Sequence, residues 1–543
     1  MANKKVYYNG VVYTADADRR TVTAVACEDD RIIYAGDDEG AKAAGGPDAE
    51  MQDLEGRMLL PGLIDGHCHP IMAACLLSGI VLDIDWTTEQ NLSEIRRFVE
   101  EHPERETYIG TGYAEWNFDE HGPAKELLDE ICPDKPMVIM GSGGHEAWAN
   151  SKAFETAGIT KDTPDPVPGL HYYARDPEGN PSGHIAESQA IDVFFEKIDF
   201  FDTESMEKML RQISRDYASN GVTTTADMGV TLMIGEETYR KGLELIRDSG
   251  YLQRFNGPGL LVADEALAER ALEFGRSLRE EFDDDRIRVS LYKIINDGTM
   301  ESRTAAISEP YPEDGSVVEP LLDGPSMAKI AMEAVKEGFD LNVHAIGDTA
   351  VQSVVHTARA VREAGFDDTR ITCSHCQYID PADVPAFAKY DITANSTGVW
   401  FYGNPLMDKV LGHINDKTFR MRSLKEAGAR VAFGSDFPVD EYGNEPLKSI
   451  EMAVTRRMYD QPDAPMLKPY DEVLAVEDGI LGYTIHNAIQ LHMEDRLGSI
   501  EQGKYADMVI LEENLFEVDP AHIHEVKVCE TIIGGETVYK AEG

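Results

Sequence analysis

Residues 60–70 read LPGLIDGHCHP, an apolar run that opens with proline and glycine and closes on two histidines. The run has the length and the flanking residues of a buried strand. Side chains alternate along a strand, so His67 and His69 point to one face and Cys68 points to the other. The two imidazoles can therefore share a metal ion, although histidine pairs also close strands without binding one.

The chain beyond this strand alternates short β-branched runs with long helical runs. This alternation predicts βα units and a parallel sheet. Helical runs such as 326–338 and 350–365 end at glycine, as helices commonly do. The predicted strands are 61–67, 221–227, 252–261, 287–297, 340–346, 370–376, 390–396 and 429–436. Their number predicts an α/β fold built on a (β/α)8 TIM-like barrel, with the site at the carboxyl ends of the strands.

Both ends of the chain alternate apolar and polar residues in the manner of half-exposed strands. We therefore predict that residues 1–58 and 490–543 form one small β-sandwich domain together. Residues 59–489 are the predicted barrel. Within it, the stretch 72–205 is too long for a single crossover after the first strand, so we expect an insertion or cap subdomain there.

Polar residues stand at the predicted ends of five barrel strands. Besides the first histidine pair, they are Lys293, His344, His375 and Asp436. A lone histidine at a strand end is more often a hydrogen-bonded core residue, but strand ends of a barrel converge, so the coincidence predicts one metal centre. Imidazole and carboxylate suit Zn²⁺ or a similar divalent ion in a catalytic site, whereas the CSHC run at 373–376 offers too few thiolates for a structural zinc site.

The charge balance is strongly acidic. The 543 residues include 99 acidic and 50 basic side chains, a formal net charge of −49. Such a surface repels phosphate backbones and anionic lipid headgroups, so we expect neither nucleic-acid binding nor membrane binding. A solvated acidic surface, as in adaptation to salt, and an acid-lined site for a cationic substrate are both compatible with this composition.

The cysteines and the apolar segments indicate the compartment. Seven cysteines are few for this length and odd in number, so reduced thiols are expected in place of a disulfide framework. The first residues lack the pattern of a signal peptide, and there is no run of about 18 apolar residues. We therefore expect a cytoplasmic protein.

Several stretches resemble motifs of the amidohydrolase superfamily. They are PGLIDGHCHP (61–70), LYKIINDGTMESRTA (291–305), VHAIGD (343–348), CSHCQ (373–377), AFGSDFPV (432–439) and LGSIEQGKYADMVIL (497–511). The closer resemblance is to its YtcJ-like branch, the amidohydrolase 3 family, which contains N-substituted formamide deformylases. It runs essentially from end to end and includes GHEAWANSKA (144–153) in the predicted insertion.

The resemblance implies a role for each strand-end residue. It implies that His67, His69 and Asp436 bind a first ion, and that His344 and His375 bind a second. Lys293 would be carboxylated on its side-chain nitrogen by CO₂ and would bridge the ions, because an ammonium has no lone pair and a carbamate has anionic oxygens. An ordinary ammonium paired with an acid such as Asp297 is the alternative, since some branches bind one metal only.

The resemblance also implies the chemistry. A divalent ion lowers the pKa of a bound water and polarises a carbonyl, so a metal-activated water is the expected nucleophile. Asp436 is the expected general acid and base, with His375 as a further catalytic residue. The alternative for Asp436 is a helix cap after the last strand.

Residues that would contact a substrate are less sharply indicated. His145 lies in GSGGHEAWAN of the insertion, and the resemblance implies that it reaches the site; a structural histidine is the alternative. Tyr113, Trp116 and Trp400 are candidates for an apolar wall, although aromatic residues at these spacings are also typical of a core. Arg303 follows the lysine strand, where anion binding competes with a salt bridge.

The expected function is hydrolysis of a carbon–nitrogen bond other than a peptide bond, in a linear amide or an N-substituted formamide. A deaminase or a hydrolase of cyclic amides or lactones uses the same apparatus and is the main alternative. A remote alternative is a barrel that has lost catalysis and serves as a binding scaffold. That alternative predicts missing metal-ligating residues, whereas this sequence retains all of them. The expected partners are a small-molecule substrate and, by resemblance, a second copy of the chain in a homodimer.

Overall fold

The structure is a computed structural model that describes residues 3–118, 121–169, 171–229, 234–257, 261–262, 264–439, 444–461 and 463–542. The chain divides into two compact units. The first unit contains Met1–His69, Ser214–Gly229 and Leu252–Gly543, and the second contains Pro70–Ile213 and Val230–Tyr251. Within the described residues, no helix is long and apolar enough to cross a membrane.

The first unit contains two parallel sheets on which the predicted strand runs fall, but the run 287–297 is divided between them as Ile287–Val289 and Leu291–Ile295. One sheet has the order Ile287–Val289, Arg254–Gly257, Val222–Asp227, Leu63–Cys68. The other has the order Leu261–Val262, Leu291–Ile295, Asp340–Ala345, Ile371–His375, Ile392–Ser396, Arg430–Phe433. The predicted run 252–261 partly falls on residues 258–260, which lie outside the described residues. The predicted α/β class is thereby confirmed.

Two neighbouring strands of the first sheet are buried along their whole length. Every residue of Leu63–Cys68 and of Val222–Asp227 is buried, as is usual for a parallel sheet with helices on its faces. The register sets Lys293 opposite Asn342, and His344 opposite Ser374. Polar side chains of neighbouring strands therefore meet at one level of the sheet.

The two helical runs predicted from the sequence, 326–338 and 350–365, correspond to helices Gly324–Lys336 and Asp348–Glu363, which begin and end two residues earlier. The Asp323 carboxylate caps helix Gly324–Lys336 by accepting from Ser326 N, and Gly338 after it has a left-handed φ of 75°. The α-helices of this unit are Asp38–Gly45, Glu265–Phe282, Gly324–Lys336, Asp348–Glu363, Val384–Lys389, Pro405–Leu411, Met421–Glu426, Pro446–Thr455, Val476–Gly482 and Ile485–Gln490. Short 3₁₀ helices are Gly398–Trp400, Gly412–Lys417 and Pro520–Glu525.

The two ends of the chain share a sheet in the first unit. Strand Met58–Pro61 pairs antiparallel with Met508–Leu511, and the separate domain of residues 1–58 and 490–543 stays a prediction. The full order of this sheet is Glu536–Lys540, Val528–Ile533, Met508–Leu511, Met58–Pro61, Val11–Tyr13, Thr21–Val22. A further sheet has the order Arg31–Gly36, Ala24–Glu28, Lys4–Tyr8, Glu50–Asp53.

The second unit has its own sheet and core. Its sheet has the order Tyr172–Arg175, Pro181–Ala186, Glu146–Ala149, Met137–Gly141, Tyr108–Tyr113, Ile80–Val81. Its α-helices are Pro70–Leu77, Thr88–Glu101, Lys125–Asp129, Ser151–Ala157, Ser188–Lys197 and Glu236–Asp248, and helix Thr203–Ser219 begins in it. A 3₁₀ turn covers Glu115–Asn117. Phe154 and Phe194 pack edge to face in one of its apolar clusters.

A buried acid makes the stability of the second unit depend on pH. Asp192 on helix Ser188–Lys197 is 9% exposed, and its Oδ1 has no hydrogen-bond partner among the described residues. Burial, and then the charge of Glu196, raise the pKa of Asp192 to about 7. The folded protein therefore holds this proton more tightly than the unfolded chain does. The resulting stabilisation is complete below about pH 4 and is lost as the pH rises through about 7.

We expect Asp192→Asn to flatten the pH dependence of the unfolding midpoint across this window. At about pH 8 the variant should be more stable than the wild type by on the order of 3 kcal/mol. Thermal unfolding of the full chain at several pH values measures this. Glu178→Gln, a change at an exposed acid of the same unit, is the control. Parallel curves for wild type and Asp192→Asn would contradict the prediction.

Candidate metal centre

Two histidines and an aspartate of the first unit converge in a buried cluster. His67 lies on strand Leu63–Cys68, His69 follows the strand, and Asp436 follows strand Arg430–Phe433. Asp436 Oδ1 is 3.3 Å from His67 Nε2 and 3.2 Å from His69 Nε2. The three potential ligand atoms all lie within 4.8 Å of one another. The predicted placement of His67 and His69 on one side of the strand agrees with this geometry.

The backbone of the two strand ends brings these side chains together. Asp436 N donates to His67 O at 2.7 Å, and His69 N donates to Phe437 O at 2.8 Å. Gly434 allows this approach, because a Cβ there would lie 2.4 Å from the Cβ of His67. Asp436 itself has a left-handed φ of 56°, a conformation that non-glycine residues adopt at a cost and that often marks functional positions.

The hydrogen bonds of His67 determine which of its nitrogens carries the proton. The Ser374 hydroxyl donates to Asn342 Oδ1 at 2.9 Å. That hydroxyl therefore accepts the hydrogen of His67 Nδ1, which lies 3.1 Å away. The lone pair of His67 is consequently on Nε2, the nitrogen that faces Asp436.

His69 has the same tautomer for a similar reason. Its Nδ1 lies 3.2 Å from the carbonyl oxygen of Gly229, which can only accept. Its Nε2 lone pair therefore also faces the Asp436 carboxylate. Two lone pairs and a carboxylate oxygen in one buried place repel one another unless a cation lies between them, so the donor set fits a divalent ion.

The charges of the cluster agree with this fit. Burial, followed by the charge of Lys293, lowers the pKa of His67 well below its usual value, so the imidazole is neutral. Burial raises the pKa of Asp436, and only positive charge on His67, His375 or His69 would bring that pKa well below its usual value. Neutral imidazoles and an ionised carboxylate are the protonation states that metal binding requires.

Lys293 lies beside the cluster and is 2% exposed. Its Nζ is 3.3 Å from His67 Nε2 and donates to Asn342 Oδ1 at 3.0 Å. Burial lowers the pKa of Lys293 to about 7, so much of the side chain is a neutral amine near neutral pH. Within the described residues Lys293 has no ion pair shorter than 4.0 Å. The Asp297 carboxylate accepts from the backbone nitrogens of Ile346, Gly347 and Ala306 and lies 3.5 Å from His344 Nε2.

The two remaining predicted ligands adjoin the cluster. The ring of His375 is centred 4.8 Å from the ring of His67 and 4.5 Å from that of His344. His375 Nδ1 is 3.9 Å from Asp436 Oδ2. His344 Nε2 donates to Gly298 O at 3.2 Å, which leaves its lone pair on Nδ1. Burial lowers the pKa of both imidazoles. The structure therefore brings all six predicted ligands into one neighbourhood, and their roles stay predictions.

Two of the predicted substrate contacts lie in the same unit. Trp400, on the 3₁₀ helix Gly398–Trp400, stacks on His375 with ring centroids 5.5 Å apart and an interplanar angle of 19°. Arg303 instead pairs with Glu313 at 3.1 Å and with Asp314 at 3.5 Å. The contacts of Arg303 therefore match the salt bridge that the sequence left open.

The other predicted contacts lie in the second unit. His145 Nδ1 is 2.9 Å from Glu187 Oε2. Tyr113 is fully buried and packs edge to face on Phe118 and Trp148, as expected of a core residue. Trp116 is 62% exposed. Whether any of these side chains touches a substrate stays a prediction.

Sequence reasoning missed the residues that orient the ligands. Asn342 and Ser374 connect Lys293 with His67, and Asp65 accepts from Ser435 N and Oγ between the two strand ends. These four residues are polar and lie inside or beside buried strands. A search of the sequence for metal-ligating residue types alone does not find them. Cysteine contributes to no cluster of potential metal ligands in the described part of the chain.

The model of the amidohydrolase family matches residues 50–539. The chain belongs to the amidohydrolase family. Amidohydrolases are hydrolases of carbon–nitrogen bonds, and the expectation of such an enzyme is confirmed at that level.

Curated relatives are similar over most of the chain. The exoenzymes regulatory protein AepA of Pectobacterium carotovorum subsp. carotovorum is 31% identical over 73% of this chain and 85% of its own length. The putative amidohydrolase YtcJ of Bacillus subtilis is 27% identical over 99% of both chains. The N-substituted formamide deformylase of Arthrobacter pascens is 26% identical over 98% of both chains. These matches confirm the predicted branch of the family.

Solved structures share the fold. An uncharacterized metal-dependent hydrolase from Pyrococcus furiosus has a TM-score of 0.72 at 22% identity and covers 95% of this chain and 100% of its own. Atrazine chlorohydrolase TrzN from Arthrobacter aurescens TC1, complexed with zinc, has a TM-score of 0.55 at 14% identity and covers 98% of this chain and 95% of its own.

Proposed function

We propose that this amidohydrolase cleaves a linear amide or an N-substituted formamide with a metal-activated water. The observation that carries the proposal is the buried group of His67, His69 and Asp436, in which two imidazole lone pairs face one carboxylate. The N-substituted formamide deformylase, similar over 98% of both chains, supports this substrate class. Zn²⁺ is the proposed ion, because imidazole and carboxylate ligands suit it.

The proposal places this centre on a closed (β/α)8 barrel. The strand order in the two parallel sheets supports closure, and so do the backbone hydrogen bonds between the ends of Leu63–Cys68 and Arg430–Phe433. His67, His69 and Asp436 would hold one ion. Lys293, as a carbamate, and the pair His344 and His375 would hold a second.

A divalent ion in this centre would lower the pKa of a water molecule and polarise the carbonyl of the substrate. Asp436 is the residue of the cluster that can accept a proton and then release it, because its carboxylate faces His67 and His69 at the centre. Once protonated, the Asp436 carboxyl group would donate the proton to a departing nitrogen. Trp400, stacked on His375, would bound the substrate on one side with an aromatic face.

Small-amide turnover by the full chain tests the proposed function. The protein is reconstituted with zinc and offered N-alkyl and N-aryl formamides, N-acyl amines, lactams, lactones and aminopurines. We expect an acid and an amine in equal amounts from a formamide or a linear amide, and no product with His67→Ala. Release of ammonia without an acid would instead identify a deaminase, and hydrolysis of lactams or lactones alone would identify the cyclic-substrate alternative.

The proposal includes a cytoplasmic homodimer that acts on a small molecule. All seven cysteines are free thiols, and six of them are buried, as is typical of proteins from reducing compartments. The net charge of −49 disfavours anionic polymers and anionic lipid surfaces as partners.

A further inference from the structure

The two strands that carry the proposed metal triad belong to different sheets. Leu63–Cys68 is the last strand of one parallel sheet and pairs with Val222–Asp227. Arg430–Phe433 is the last strand of the other and pairs with Ile392–Ser396. In the described residues no strand ladder joins Leu63–Cys68 with Arg430–Phe433. Backbone carbonyls on these facing edges are buried and therefore need donors from elsewhere.

Side-chain amides of helix Ile485–Gln490 supply these donors. Asn487 Nδ2 donates to Ile64 O at 2.6 Å and to Phe433 O at 2.7 Å. A single amide thus binds one carbonyl from each of the two strands. Gln490 Nε2 donates to Gly66 O at 2.6 Å, directly before His67.

A third amide holds the first two in place. Asn395 Nδ2 donates to Gln490 Oε1 at 2.8 Å and lies 3.4 Å from Asn487 Oδ1. We call Asn395, Asn487 and Gln490 the amide clasp; none of them is more than 1% exposed. Buried amides with satisfied hydrogen bonds are rigid and demand one geometry.

The strand itself is adapted to the amide clasp. A Cβ at Gly66 would lie 2.1 Å from Asn487 Oδ1 and 2.8 Å from Asn395 Nδ2. Only glycine therefore leaves room for the clasp at this position. The bound carbonyls lie close to the ligands in sequence, since Gly66 precedes His67 and Phe433 lies three residues before Asp436.

We propose that the amide clasp is the positioning device of the metal centre: it sets the distance between the histidines on one strand and Asp436 beyond the other. The inference rests on the metal binding in the proposed function, but it does not depend on the substrate. Groups that orient metal ligands typically change metal affinity by about 10- to 100-fold when they are removed.

Zinc affinity of full-length variants tests this role. Apo-protein is prepared with a chelator, and Zn²⁺ alone is titrated in competition with a chromophoric chelator. Asn487→Ala is expected to bind zinc about 10- to 100-fold more weakly than the wild type. Gln253→Ala is the matched control, because Gln253 is also a fully buried amide and its Nε2 donates to two carbonyls, Ser214 O and Val222 O.

Thermal unfolding of the metal-free variants separates positioning from general stability. Both variants are expected to lower the unfolding midpoint of the apo-protein, whereas only Asn487→Ala lowers zinc affinity. If Asn487→Ala does not fold, Gln490→Ala takes its place with the same expectation, because it removes the donor to Gly66 O and the acceptor of Asn395 Nδ2. Gly66→Ala should weaken zinc binding as well. The double variant Gly66→Ala/Asn487→Ala should lose less zinc-binding free energy than the sum of the losses in the two single variants.

Equal loss of zinc affinity in Asn487→Ala and Gln253→Ala would overturn the inference, and so would a wild-type protein that binds no zinc. The wild type could bind zinc and the clasp variants bind it weakly, while the wild type hydrolyses no amide. That result would support the inference and refute the proposed function. The substrate class and the role of the clasp can therefore fail separately, whereas a wild type that binds no zinc would overturn both proposals.

Discussion

Asp436→Asn is expected to lower kcat/KM by about 10³- to 10⁴-fold while the fold is retained. Asparagine has nearly the same volume as aspartate but no negative charge, so the proposed metal centre loses the anionic ligand that faces His67 and His69. An amide also cannot accept a proton from water and return it to a leaving nitrogen. Steady-state kinetics with the best amide substrate and metal analysis of the same preparation measure both losses.

Asp348→Asn is the matched control for this prediction. Asp348 is also a buried carboxylate of the first unit, but it accepts from Ser308 N at 2.8 Å and from Ser308 Oγ at 2.5 Å. The control variant should lose stability and keep its metal content. If Asp436→Asn retained more than about a tenth of the wild-type rate, Asp436 would not be the acid and base of the reaction.

The strands that carry the ligands were predictable because each has a strong local signal. Leu63–Cys68 and Ile371–His375 are short runs that begin with apolar or β-branched residues and carry a histidine at or next to their last position, and length with residue type suffices to recognise such runs. Convergence of the strand ends then follows from the parallel α/β architecture. The sequence alone thus predicts the neighbourhood of His67, His375 and Asp436.

The orientation of the ligands was not predictable in the same way. The tautomer of His67 depends on Ser374 and Asn342 from two other strands, and such contacts depend on register, which is a property of the folded sheet. Arg303 shows the same limit: its position after the lysine strand allowed an anion contact, but its ion pairs with Glu313 and Asp314 form in a loop.

Aromatic residues at similar spacings proved different in their surroundings. Tyr113 is fully buried in the core of the second unit, Trp116 is largely exposed, and Trp400 stacks on His375. All three are large aromatic residues, so the sequence does not distinguish them. The burial of each depends on tertiary packing, which no local pattern encodes. Only Trp400 acquires a contact with a predicted metal ligand.

Lys293→Ala is expected to remove one of two bound ions and to lower kcat/KM by about 10³-fold. Burial lowers the pKa of Lys293 to about 7, so a neutral amine is available to attack CO₂. In that step the nitrogen forms a bond to carbon, an electron pair moves to oxygen and the amine releases a proton. Alanine can form no carbamate and leaves a space beside His67, where Lys293 Nζ lies 3.3 Å from Nε2.

The space left by Lys293→Ala gives the experiment a positive readout. Acetate or propionate offers the same carboxylate as a carbamate, so either should restore part of the activity and the second ion to this variant, and neither should affect the wild type. Lys504→Ala is the control, because Lys504 is a buried lysine bound to Ser499 Oγ and lies outside the cluster. Two tightly bound ions and full activity in Lys293→Ala would exclude a bridging carbamate and would leave Lys293 as an amine that donates to Asn342.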